Sequence, residues 1–100
     1  ACEAAGVPDV SYNGSTIDAA PNTYIISSKI NWAPYFEYAI KCAVAGEDIE
    51  DDWTGTLATD SVQLTELNEA VAAEGTAEEI EAVKAALEDG SLHVFDTSLP

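Results

Sequence analysis

Chemistry needs groups that can be brought together, and this sequence offers few of them. His93 is the one histidine, and Cys2 and Cys42 are the two cysteines, in 100 residues. A single histidine excludes zinc sites of the Cys2His2 type. His93 also sits in the strand-like run Leu92-His93-Val94-Phe95, where a packed or solvent-facing ring is far commoner than a catalytic base. No Ser-His-Asp set, glycine-rich phosphate loop or basic cluster can be assembled. Carboxylates abound, with 19 Asp and Glu, so finding two of them close in sequence says nothing about a paired site. The densest run, Glu47-Asp48-Ile49-Glu50-Asp51-Asp52, fails the calcium-loop pattern. Counting from Asp48, position six is Trp53 where glycine is needed and position twelve is Thr59 where glutamate is needed. A solvated connection is expected there. What remains is binding: Asn13, Ser15, Thr16 and Asp18 form a polar stretch of candidate hydrogen-bonding contacts, although turn chemistry accounts for each nearly as well. The expectation is a chain that performs no chemistry and carries neither metal nor cofactor.

The elements that would position these residues are legible from periodicity. Tyr24, Ile25 and Ile26 follow a turn-like Pro21-Asn22 and read as a buried strand. From Trp32 the apolar residues Trp32, Tyr35, Phe36, Ala39, Ile40, Ala43 and Val44 fall at helical spacing, predicting one wide buried face. Asn31 can cap this helix, Pro34 fits its first turn and Gly46 ends it. Its large side chains are each worth roughly 1.5–3 kcal/mol if fully buried. Cys42 on this helix reads as a half-buried thiol, and a disulfide with Cys2 is permitted without being established.

Before the strand, Ala1 to Gly6 read as the end of a helix, Asp9 to Tyr12 as a strand and Asn13 to Asn22 as a long surface loop. A loop of this kind at a strand's C-terminal end is a common place for binding residues in α/β folds. After the helix, Trp53 to Leu57 read as a strand, Ala58 to Ser61 as a turn and Val62 to Leu64 as a short strand. Leu67, Ala70 and Val71 predict a short helix over Thr65 to Ala73. Gly75 breaks it, and Thr76 with Glu79 suggests a capping box for a helix whose buried face is Ile80, Val83 and Leu87. Asp89-Gly90 ends that helix before the strand-like Leu92 to Phe95. A helix end without its beginning and an apolar run close to residue 100 lead us to expect a fragment of a longer chain.

Composition bounds the function. An apolar content of 47% with three Lys or Arg indicates a globular chain. A net charge of −16 disfavours nucleic acid and anionic membrane surfaces, which need cations against phosphate. No run approaches the roughly 18 apolar residues of a membrane span, and no secretion signal lies within these residues.

Three stretches in order resemble the C-terminal part of the basic membrane lipoprotein family, the substrate-binding components of ABC transporters related to purine-nucleoside receptors. VSYNGSTIDAAPNTYIISSKINW resembles its strand, acidic ligand loop and second strand. GTLATDSVQL resembles its Gly-Leu-Lys-Glu-x-Gly-Val-Gly-Leu element, and the last helix with EDGSLHVF resembles its Ser/Ala-Gly-Glu-Ile-x-Val ending. The resemblance spans nearly the whole chain. It implies an α/β, periplasmic-binding-protein type I fold of three-layer sandwich type, residues 1–100 spanning parts of both lobes with no internal domain boundary and one hinge crossing near Ser27 to Trp32. It further implies a small, nucleoside-like solute held between two lobes and an ABC permease as partner. The setting it implies is extracytoplasmic, with a lipid anchor outside these residues. By the family pattern Asn13 stands where an aspartate holds the sugar and Ala58 where a lysine lies beside the ligand. Asn13, Gly14 and Ser15 are therefore the candidate ligand loop. Thr59 or Asp60 could replace part of the polarity lost at Asn13 and Ala58, and Trp32 is a candidate stacking ring or a core residue. A second reading is a self-contained acidic α/β module that binds a basic protein partner; an enzyme using acidic residues ranks last.

Overall fold

The structure, a computed structural model, describes residues 1–95 and Ser98. It is a small mixed α/β arrangement of three strands and three helices among the described residues. The elements run α1 (Cys2–Ala5), β1 (Asp9–Tyr12), β2 (Tyr24–Ile30), α2 (Ala33–Ala45), β3 (Val62–Leu64) and α3 (Thr76–Asp89). β2 is central, pairing parallel with β1 and antiparallel with β3. The register places Tyr12 opposite Ser28 and Ile30 opposite Val62. The carboxyl ends of β1 and β2 and the amino end of β3 therefore share one end of the sheet. No helix of the described residues is long and apolar enough to cross a membrane.

The two fully buried residues lie on β2, and most of the buried residues are polar. Tyr24 and Ser27 are fully buried, and Thr23, Ser61, Asn68 and Cys42 are nearly so. Buried polar groups are tolerated when hydrogen-bonded, and no buried side-chain polar atom among the described residues lacks a partner. Both cysteines are free thiols, Cys42 buried and Cys2 half-buried. The radius of gyration, 17.3 Å, exceeds the roughly 13 Å of a compact 100-residue domain. Much apolar surface is correspondingly uncovered.

Three predicted elements do not form, each because its backbone groups bond elsewhere. Trp53 to Leu57 is not a strand: Ser61 and Val62 donate their N–H groups to the Thr56 carbonyl, and Thr56 N–H donates to Thr59 Oγ1 at 2.8 Å. This segment is a folded-back turn, and both edges of β2 are already occupied by β1 and β3. Thr65 to Ala73 is not a helix, because Thr65 and Asn68 donate to the Ser27 and Ile25 carbonyls of β2. Only one turn follows, with Val71 and Ala72 bonded to the Asn68 carbonyl. Leu92 to Phe95 is not a strand, since Leu92 N–H returns to the Ala86 carbonyl of α3. Its side chains are exposed.

The capping box is also absent. Gly75 precedes α3 in the left-handed region at φ 87°, and the Thr76 hydroxyl donates back to the Ala73 carbonyl at 2.6 Å.

The expected face of α2 is corrected most sharply. Trp32, Phe36, Ile40 and Val44 are exposed. The inward face is Tyr35, Tyr38, Ala39 and Cys42, which has the same helical spacing. Trp53 decides between the two: its ring packs against Tyr35 at 5.2 Å and against Tyr38 at 6.3 Å. Glu50 N–H also donates to Tyr38 Oη at 3.0 Å. The chain thus returns from the acidic connection along that face. On α3, Ile80 and Leu87 are half-buried, but Val83 is exposed.

Candidate functional site

The polar ends of the strands are built by short-range bonding. Asn13 takes a left-handed conformation at φ 64°, which asparagine tolerates better than most residues. That turn lets the Asn13 and Gly14 N–H groups both donate to the Ser28 carbonyl, at 2.7 and 3.3 Å. The loop after β1 is thereby folded over the adjoining part of β2. Ser15 Oγ then donates to Glu66 Oε1 at 2.6 Å, joining residues on opposite flanks of the central strand. Beneath the loop, Ser11 Oγ donates to Asp9 Oδ2 at 2.7 Å and shares a hydrogen bond with the Thr16 hydroxyl at 2.8 Å.

On the other flank, Asn31 joins the end of β2 to the turn before β3. Its N–H donates to the Ser61 carbonyl at 2.8 Å. Its Nδ2 donates to the Asp60 carbonyl at 3.0 Å and to Oδ2 of Asp60 at 3.3 Å, and its Oδ1 accepts from Ala33 N–H. Asp60 is also left-handed, at φ 61°, and Gln63 Nε2 donates to its Oδ1 at 2.8 Å. Thr59 closes the turn through Thr56 and Ser61.

The fold thus places Asn13, Gly14 and Ser15 after β1, Trp32 after β2, and Thr59 and Asp60 before β3, all toward one end of the sheet. Of the six, Asp60 borders a groove, of about 240 Å³, together with Val62, Gln63 and Lys84. Trp32 is 59% exposed and packs its ring against Tyr35 and Phe36, so it is not the core residue that its place on the stripe suggests. Asn31, Gln63 and Glu66 belong to the same set and were not expected. Asn31 was assigned only a capping role, and Glu66 was assigned to a helix that does not form. No local pattern links Ser15 to Glu66 across 51 positions.

Electrostatically the end is mixed: Lys29 acts on the Glu66 carboxylate, and Lys84 shares the groove of Asp60. Hydrogen bonding from Ser15 holds the Glu66 carboxyl below its ordinary value, with Lys29 contributing in the same direction. Amides, hydroxyls and carboxylates suit a neutral, hydrogen-bonding solute better than an anion. No group of His, Cys, Asp and Glu among the described residues is arranged to hold a metal ion. Comparison with known protein families and with curated proteins finds no match for this chain.

A separate groove of about 400 Å³ runs between β3 and α3, lined by Leu57, Val62, Leu64, Ile80, Val83 and Leu87 among others. It is apolar and shares none of the six residues.

Proposed function

We propose that this chain is part of an extracytoplasmic solute-binding receptor of an ABC transporter, of the basic membrane lipoprotein type. It would hold a small nucleoside-like solute between two lobes of a periplasmic-binding-protein type I fold and present it to a permease. A lipid anchor outside these residues would hold it at the membrane. The observation that carries this reading is the gathering of polar loops at the carboxyl ends of two adjacent parallel strands. Ligands of open α/β sheets bind outside the carboxyl ends of their strands. The exposed Trp32 ring next to Asn31 supports it, because an aromatic face offers a planar solute a stacking surface. The uncovered face of α2 supports a molecule completed by further chain. Function would be closure of the lobes on the solute, without chemistry.

Thermal unfolding of the full-length protein with nucleosides, nucleobases and other neutral solutes tests the proposal. A bound solute at a hundred times its dissociation constant adds about 2.7 kcal/mol. Asn13→Ala and Asp60→Ala should reduce that shift. If no solute moves the transition, the reading fails.

A second reading is favoured by one observation: Trp32, Phe36, Ile40 and Val44 are exposed on a helix that is followed in sequence by an acidic run. A self-contained module using that face on a basic partner would fold and remain monomeric as these 100 residues. A part of a receptor would not.

A further inference from the structure

The segment between β1 and β2 is held at both ends by carboxylates from outside it. At its start, Ser15 Oγ donates to Glu66 Oε1 at 2.6 Å. At its end, Asn22 N–H and Thr23 Oγ1 donate to Glu3 Oε2 at 3.2 and 2.8 Å, and Asn22 Nδ2 donates to Oε1 at 2.6 Å. Glu3 lies on α1, and Glu66 follows β3 just beyond Thr65. Thr65 is fixed in turn, its N–H bonded to the Ser27 carbonyl and its Oγ1 accepting from Ser27 N–H. Glu66 therefore projects from a segment laced to the central strand. Ser15 donates its one hydroxyl proton to Glu66 and accepts from Ile17 N–H at 3.4 Å. That hydroxyl is engaged by the fold and has no proton left to offer a solute.

We propose that Glu66 and Glu3 are positioning residues that clamp the two ends of the 13–23 segment over the sheet, and that Ser15 serves as the clamp's partner instead of as a ligand contact. The proposal deepens the solute-binding reading and depends on it for its functional consequence. The clamp itself is tested without any solute.

The test is amide hydrogen exchange, read by peptide, on the full-length protein. Glu66→Ala and Ser15→Ala should each speed exchange in residues 13–18 about fivefold, the worth of one net hydrogen bond, and the double variant should add nothing further. Glu3→Ala should speed residues 19–23 instead. Glu66→Gln, which keeps an acceptor oxygen, should restore most of the protection. Exchange across 25–29 should stay unchanged throughout. Equal acceleration in 25–29 would mean general loosening and would overturn the clamp, as would unchanged exchange in 13–18 with Glu66→Ala. A clamp that passes while no solute shifts the unfolding transition would sink the receptor reading alone. With adenosine as probe, Ser15→Ala should weaken any measured affinity no more than Glu66→Ala does; a greater loss for Ser15→Ala would make Ser15 a direct contact.

Discussion

Replacing Thr65 with valine keeps the side chain's shape and removes its one hydroxyl, and that hydroxyl bonds two buried groups. Tyr24 is fully buried, and its hydroxyl bonds Thr65 Oγ1. Ser27, also fully buried, donates its N–H to the same atom at 3.0 Å. In Thr65→Val both partners are orphaned, and an unsatisfied buried polar group costs about 1–3 kcal/mol. The expected loss is about 3 kcal/mol, since Thr65 itself is half-buried and water reaches part of the site. Tyr24→Phe removes one partner and leaves Thr65 Oγ1 bonded to Ser27, so about 1 kcal/mol is expected. The double variant should cost at least about 0.5 kcal/mol less than the sum, because the tyrosine hydroxyl is no longer present to be stranded. Urea unfolding measures all three, with an unchanged slope expected. A Thr65→Val variant that loses no more than Tyr24→Phe would refute the reasoning that one oxygen satisfies both groups.

Gly55→Ala should destabilise by about 1–3 kcal/mol through overpacking. A methyl there would collide with Ser61 Cβ and lie 2.9 Å from the Trp53 ring, and denaturation midpoints read the loss. Cys2 should react with a thiol reagent well before Cys42, which is buried, and equal rates would contradict the packing of α2. Ile40 is 62% exposed, so Ile40→Ser should change the stability of the isolated 100-residue chain by no more than about 0.5 kcal/mol. If further chain covers α2, the same change in the full-length protein should cost about 2–4 kcal/mol. Glu3 is held below the ordinary glutamate value first by the Asn22 hydrogen bond and then by that of Thr23, and Glu66 first by that of Ser15. Lowered folded-state values mean that the carboxylate form is favoured in the fold. The contribution is therefore full above the ordinary glutamate range and is lost as pH falls through the lowered values. Protection of residues 13–23, corrected for intrinsic exchange, should drop between about pH 6 and about pH 3.

The sequence alone determined the elements whose signals are local. Asp9 to Tyr12 and Val62 to Leu64 are strands as expected, and the helix after Asn31 ends at Gly46 in a left-handed turn. α3 runs to Gly90 as its periodicity predicted. These depend on pattern and on terminating residues within a few positions. The polar loop of 13–22 was equally legible, because Asn13-Gly14 and its neighbours favour turns wherever they occur.

Tertiary structure decided everything that turned on a choice of partner. α2 carries two overlapping apolar faces sharing Tyr35 and Ala39, and only the return of Trp53 selected the one with Tyr38 and Cys42. Strand propensity in Trp53 to Leu57 went unused because β2 has two edges and both were taken. Helix periodicity at Leu67, Ala70 and Val71 lost to hydrogen bonds from Thr65 and Asn68 to β2. The candidate site divides the same way. Asn13 and Ser15 could be nominated from residue type and Asp60 only from the family resemblance, but Glu66 and Glu3 reach the loop through bonds spanning 51 and 19 positions. Periodicity carries no record of such distances, and only the register of three strands brings those carboxylates to the loop they hold.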